Sequence, residues 1–429
     1  MAGDAESRSL GDLCSYINRG SAPVYVDQSG TLIINQRCIR HHRVDYSSAR
    51  RTDQNRKPIA PERWLQPNDI VVNSTGVGTL GRVAQVRALP DRATVDSHVT
   101  IVRPDPNEVD PAFLGYCLRY REAEIENLAE GSTGQTELSR SNLAALEIDL
   151  PDSRTQQAIG AIGSALDDKI DLNRQIAATL EDMARALFKS WFVDFDPVHA
   201  KAKGRDTGLP ADTARLFPDD FDNEGLPDGW AWGTPESFVE VNPTTRIDRA
   251  NEAPYIDMAA LPTQGHRIKS SVPRAVSSGS RFKNGDTLLA RITPCLENGK
   301  TALVDCLDEN TVAWGSTEFI VMRPWQDTPE PLAYIIARDA SFRSHMIASM
   351  SGTSGRQRAP ADAIGRWGMA IPTDDVTSAW GKAVAPMFEG IKACSLEIEQ
   401  LIELRDALLP KLLSGELRVD DAAVSIAAA

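Results

Sequence analysis

The stretch Gln156-Gln-Ala-Ile159-Gly-Ala-Ile162-Gly-Ser-Ala-Leu166-Asp-Asp-Lys-Ile170 opens a run of apolar residues spaced three and four apart. It continues through Ile176, Leu180, Met183, Leu187 and Trp191. That alternation is a heptad seam and predicts one helix of roughly five heptads. The pattern returns near the end of the chain at Trp380, Val384, Met387, Ile391, Cys394, Ile398, Leu401, Leu404, Leu408 and Leu412. At one constant offset, Ile159, Leu166, Ile170, Leu180 and Leu187 fall on Trp380, Met387, Ile391, Leu401 and Leu408. Asn173, whose counterpart is Cys394, interrupts the first seam, and one polar seam residue can fix register. At about 1.5 Å per residue, ~35 residues make a rod of about 50 Å. Matched length and phase predict two helices packed on each other; the plainer alternative packs each helix on its own domain.

The regions upstream of the helices are also repeated. Asn68-Asp69-Ile-Val-Val72 reads like Gly285-Asp286-Thr-Leu-Leu289, and Val99-Thr-Ile-Val-Arg103-Pro104 like Phe319-Ile-Val-Met-Arg323-Pro324. Gly131-Ser-Thr-Gly134 matches Gly352-Thr-Ser-Gly355, and Leu150-Pro151 matches Ile371-Pro372. The matches keep their order, so the chain is a tandem duplication. Within each copy, short β-branched runs lie between Gly, Pro, Asn and Asp clusters and predict strands, with helical patterns over 112–128 and 332–350. Residues 193–230 are polar and Pro-rich, which predicts an irregular surface crossing between the halves. The Ala-rich tail after Asp420 is expected to fray.

Composition narrows the functional classes. Of 429 residues, 41% are hydrophobic and 25% charged, which predicts folded domains and not a disordered chain. There is no apolar run of about 18 residues, and residues 1–20 lack the order of a signal peptide. The six cysteines form no CxxC pair, so neither a disulfide framework nor a zinc site is expected, and a reducing cytoplasm suits the chain. A net charge of −14 argues against indiscriminate coating of nucleic acid but permits local basic surfaces.

Catalytic motifs are missing. Gly76-Val-Gly-Thr-Leu-Gly81 satisfies GxGxxG, but Arg82-Val-Ala-Gln-Val86 follows as a second strand instead of a helix, so a strand–loop–strand hairpin is expected. Asn298-Gly-Lys-Thr301 resembles the end of a P-loop whose required earlier glycine is Pro294. The six histidines form no metal-ligand spacing, and His41-His42 reads as a polar loop element. Asn242-Pro-Thr-Thr245 starts like a methyltransferase tetrad and lacks its aromatic. No catalytic residue, metal site or cofactor site is expected.

Charge is instead gathered locally. Residues 37–63 carry eight cations against three acids, among them Arg37, Arg40 and Arg43 beside His41. The second half places Arg246, Arg249, Arg267, Lys269 and Arg291 over a similar region and adds Arg356-Gln357-Arg358 after its glycine turn. Arginine and glutamine carry base-edge geometry, and arginine is the strongest phosphate partner. Thr75, Arg82 and Gln135 complete the expected DNA-facing set. The two glycine turns admit two readings, a phosphate cradle or a plain turn.

These features together resemble the specificity (S) subunit of Type I restriction–modification enzymes. The residues that carry the likeness are the duplicated plan, the hairpin around Gly76 and Gly81, and Ile148-Asp-Leu-Pro151 with Gln156-Gln157. The run Asp171-Leu-Asn-Arg through Leu187-Phe-Lys-Ser-Trp-Phe-Val-Asp-Phe-Asp-Pro197 and the terminal Leu409-Pro-Lys-Leu-Leu-Ser-Gly-Glu-Leu417 add to it. The resemblance implies an α+β fold with two tandem target recognition domains, over 1–151 and 231–372. An antiparallel, pseudo-twofold pair of long coiled-coil helices, over 152–196 and 373–417, would separate them, with a linker over 197–230 and a flexible tail over 418–429. It implies a non-catalytic cytoplasmic subunit that binds double-stranded DNA, each domain reading one half of a split target across an unread spacer. Two methyltransferase (M) subunits, which hold S-adenosylmethionine, and restriction/translocation (R) subunits would be its partners, with no membrane role. Half-site centres about one turn apart, ~10–10.5 base pairs, would suit two domains entering grooves on one side of the duplex. A two-domain protein-binding scaffold with no DNA reading of its own is the alternative. Domain two has Thr353-Ser-Gly-Arg-Gln-Arg where domain one has Thr133-Gly-Gln-Thr-Glu-Leu, so contacts there are not expected to be equivalent.

Overall fold

A computed structural model describes residues 6–131, 136–248, 250–268, 270–353 and 355–422. The chain forms two compact units, Met1–Ile170 with Gln400–Ala429, and Asp171–Glu399. In the first, Ile70–Asn73 is buried along its whole length, as a continuous β-branched run demands. It lies between Val99–Pro104 and Val83–Gln85, with Cys14–Arg19 beyond, all antiparallel. The GxGxxG segment is thus the loop of a hairpin between Ile70–Asn73 and Val83–Gln85. A second sheet has the order Ala93–Val95, Thr31–Ile34, Arg50–Thr52, Tyr25–Val26. Glu6–Ser9 pairs with Glu147–Leu150, the strand that leads into the first long helix.

The second unit repeats this plan. Thr287–Ala290 lies between Phe319–Pro324 and Thr301–Leu303, with Val239–Val241 at the edge. Ala231–Gly233 pairs with Met369–Ile371, ahead of the second long helix. One buried ion pair is repeated with the strands. Arg103 donates from Nε to Asp69 Oδ1 at 2.7 Å and from Nη2 to Oδ2 at 2.8 Å. Arg323 meets Asp286 in the same way at 2.7 and 2.6 Å. Each aspartate also accepts a turn amide, from Gln66 or Lys283. The residue before it takes left-handed backbone in both copies, Asn68 at φ 73° and Gly285 at φ 88°. A charge buried this deeply is tolerated because its lone pairs are filled.

The long helices run over Ser153–Phe188, extended by a π-helical turn at Lys189–Val193, and over Asp374–Leu413. Both sequence alternatives for them hold at once. In the first unit, Ile159 shares a core with Leu408, Leu409 and Leu412 of the second helix and with Phe113 and Tyr116 of its own domain. A β-carbon at Gly163 would overlap the Tyr116 ring, so glycine there lets helix and domain close together. In the second unit, Phe188 and Phe192 meet Trp380 edge-on at 6.2 and 5.8 Å, within a core that includes Tyr334, Ile335 and Ile391. The start of one helix meets the end of the other in each unit, so the pairing is antiparallel. Leu166 and Ile170 are buried, whereas Leu180, Leu187, Met387 and Leu401 are half-buried. Buried Asn173 donates to Glu397 Oε2 at 2.8 Å, a polar link across the seam.

Two expectations are corrected. Ile176 and Met183 are 39% and 49% exposed; they share an uncovered stripe with Leu172 and do not lie in the seam. The 197–230 segment is not a mere surface crossing. It forms a helix over Asp196–Ala202 and buries Val198, Phe217, Leu226 and Trp230 against Trp191 and Phe192. Apolar burial outweighs its turn-rich composition. Most of the Ala-rich tail lies outside the described residues.

Candidate nucleic-acid interface

In the first unit, a tight strand pair, Ile39–Arg40 with Arg43–Val44, carries the predicted cations. Its base is rigid: Cys38 and Ile39 are fully buried, and the Asp45 amide donates to Cys38 O at 2.7 Å. Burial opposes ionisation of Asp45, but the hydroxyls and amides of Ser47 and Ser48 outweigh it and hold the carboxyl below its ordinary range. Arg37, Arg40 and His41 are exposed, and Arg43 is half-buried.

The loop after Ile70–Asn73 lies alongside. Asn73 donates from Nδ2 to Gln36 O at 3.1 Å and to Thr79 O at 3.0 Å. Gly76 has φ 107°, and a β-carbon there would overlap Gln36 Oε1, so this contact requires glycine. Thr75 Oγ1 lies 2.7 Å from His98 Nδ1, and Arg82 donates to Gly78 O at 2.8 Å. The structure therefore brings Arg37, Arg40, His41 and Arg43 together with Thr75 and Arg82, although residues 37–43 and 75–82 are far apart in sequence. Gln135 lies outside the described residues, as does most of the first glycine turn.

A three-segment crossing builds each ridge, and it is duplicated. In the first domain the Ser74 amide donates to His98 O and the Leu138 amide to Ser74 O, both at 2.9 Å. In the second, Arg291 donates to Glu318 O at 3.0 Å and Ala359 to Arg291 O at 2.8 Å. Glu137 bridges Glu130 and Thr75 where Arg358 bridges Ser351 and Ile292. The charges on this common frame are reversed. Glu137 is paired with Arg19, whereas Arg358 donates to Glu318 at 2.6–2.9 Å. Hydrogen bonding to Glu318 raises the Arg358 pKa above its ordinary value.

Arg291, Arg356, Gln357 and Arg358 thus come together, with Thr293 donating its amide to Gln357 O at 3.0 Å. Arg246 is exposed on another loop. Arg267 does not join them: its guanidinium is largely buried and lies 3.6 Å from Glu399 of the second long helix. Lys269 and Arg249 lie outside the described residues. Sequence reading missed Arg19, Glu122, Glu137 and Glu318, which hold the ridge side chains in place. It also missed the Asp69–Arg103 and Asp286–Arg323 pairs, although the recurrence of Asp and Arg at matching places in both copies was a usable signal. Among the described residues no group of His, Cys, Asp and Glu is placed to hold a metal ion, and no helix is long and apolar enough to cross a membrane.

The duplicated mixed domains and the long helices paired within each unit follow the plan of a known DNA sequence-recognition subunit. Residues 3–182 match the Type I restriction modification DNA specificity domain. The chain is 26% identical over 412 residues to the Type I restriction enzyme HindI specificity subunit of Haemophilus influenzae, covering 84% of this chain and 89% of that protein. It is 26% identical over 312 residues to the MjaIX specificity subunit of Methanocaldococcus jannaschii, covering 69% and 66%. Among solved structures, the S subunit of a Type I restriction–modification system from M. genitalium shares the fold, with a TM-score of 0.53 at 16% identity over 96% of each chain. Residues 3–182 thus resemble Type I DNA specificity domains, and the chain is similar over most of its length to Type I specificity subunits.

Proposed function

We propose that this chain is the DNA-reading subunit of a Type I restriction–modification assembly working in the cytoplasm. Each domain reads one half of a split target in double-stranded DNA, and the long helices set the unread spacer. The observation that carries this reading is the duplicated crossing that presents Thr75 with Glu137 in one domain and Ile292 with Arg358 in the other, each beside exposed arginines. One frame bearing different side chains is what two half-sites require. Local cations suffice despite the net charge, because counterion release depends on the phosphates actually contacted.

Chemistry belongs to the partners in this reading. Two methyltransferase subunits hold S-adenosylmethionine, restriction/translocation subunits cleave, and this chain holds no cofactor. The uncovered Leu172, Ile176 and Met183 stripe on the first long helix supports docking of a methyltransferase subunit there. Mapping genomic methylation in the native host with and without this gene tests the proposal. Loss of methylation at one bipartite motif is expected; an unchanged methylation map refutes it.

A further inference from the structure

The strand pair Ile39–Arg40 and Arg43–Val44 is joined by only two residues, His41 and His42, and both have left-handed backbone, at φ 51° and 59°. A two-residue hairpin turn with both central residues at positive φ selects Asn-Gly or Asp-Gly, whose backbones reach that region cheaply. Histidine at either position carries backbone strain that glycine would not. Arg40 and Arg43 are directly opposed across the strands, which gathers two cations beside the turn.

The tip is nonetheless held in place. His42 Nδ1 lies 3.1 Å from Glu122 Oε1, and that oxygen also accepts the Val83 amide at 2.6 Å. The Arg40 Nε donates to Arg37 O at 3.0 Å, and the strands rise from the buried Cys38 and Ile39. A narrow, anchored, two-stranded ribbon with a cationic, imidazole-bearing tip has the dimensions of a major-groove reader.

We propose that Arg40-His41-His42-Arg43 is a base-reading finger that enters the major groove of the half-site bound by the first domain. This rests on the DNA-reading function proposed above and goes beyond it by naming the element that sets specificity in one half. Arginine at such a tip takes the O6 and N7 edge of guanine, and an imidazole donates to or accepts from a neighbouring base.

The test uses a substitution that repairs the turn. His41→Asn combined with His42→Gly supplies the preferred turn residues, so the melting midpoint is expected to hold or rise while reading is lost. Full-length protein with its methyltransferase partner is used to select from duplexes with randomised positions. The expected result is that the variant keeps one half of the wild-type motif, loses definition at one or more positions in the other, and binds the wild-type motif about tenfold more weakly. Arg40→Gln, a change at an exposed position, should degrade the same half. An unchanged motif at unchanged affinity overturns the finger and leaves the DNA-reading function standing. Loss of both halves together with a lowered midpoint also overturns it, because the tip would then be structural. If the wild-type protein itself selects no motif, the DNA-reading function falls and the finger falls with it.

Discussion

Asp167 ties three elements of the first unit together, and its removal should be costly. Its carboxylate accepts Tyr116 Oη at 2.9 Å and Arg119 Nη1 at 3.1 Å from the domain. It also accepts Arg405 Nη1 at 2.7 Å from the second long helix. All three charged side chains are about nine-tenths buried, so water screens the cluster weakly. Asp167→Ala leaves the buried Arg119 guanidinium without its counter-ion and Arg405 with Asp406 alone, a change that costs ~3 kcal/mol. For a unit of this size that corresponds to a fall in melting midpoint of roughly 10 °C. Arg405→Ala should cost less, because Asp167 keeps Arg119 and Tyr116. The double variant should cost less than the sum of the two, since they share one interaction.

The pH dependence follows from the same contacts. Burial opposes ionisation of Asp167, but Arg119 and Arg405 outweigh it and hold the carboxyl below its ordinary range. A depressed carboxyl binds its proton less readily in the folded than in the unfolded chain. Its stabilisation is therefore full above the unfolded value of about 4 and is lost as pH falls through the lower folded value. Thermal unfolding followed by calorimetry between about pH 3 and 7 should show the gap between wild type and Asp167→Asn narrowing as acid is added. A loss below about 1 kcal/mol for Asp167→Ala, strict additivity with Arg405→Ala, or a gap that widens in acid would refute this reasoning.

Asn173→Leu removes a buried polar residue from the helix seam and should raise the stability of the second unit by about 1 kcal/mol, at the expense of a register marker; calorimetry showing destabilisation would contradict that role. Arg358→Ala should weaken binding of the full assembly to its cognate duplex and relax one position of the half-site read by the second domain. Glu318→Gln, which relieves Arg358 of its paired charge, should instead tighten non-specific binding, and affinity measured across a salt series distinguishes the two.

The duplication, the helices and most strands are legible in the sequence because each rests on local periodicity or on strings repeated in order. Periodicity finds an apolar face but not what covers it. Leu166 and Ile176 look equivalent in the heptad pattern, yet one is buried and the other exposed. Phe217, Leu226 and Trp230 escaped notice because isolated apolar residues among turn formers have no period. Arg267 belongs to a cationic run by sequence, and only folding places it beside Glu399, far along the chain. The clustering of residues 37–43 with Thr75 and Arg82 is equally non-local, carried by the Asn73–Gln36 bond and by Gly76.

What the two copies share and what they do not also divides along physical lines. The Asp–Arg pairs and the left-handed residue before each aspartate recur because strand ends buried at that point need a filled carboxylate and a turn. The ridge crossing recurs in its amide bonds, which any side chain permits. The amide bonds of that crossing therefore do not depend on which side chains it bears. There the copies diverge, Glu137 with Arg19 in one and Arg358 with Glu318 in the other. Had both ridges kept the same charges, two domains would present one chemistry twice and suit a target with identical halves. In the DNA-reading function proposed above, opposite charges at one position of a common frame suit target halves that differ, and they let either half change without disturbing the fold that carries the other.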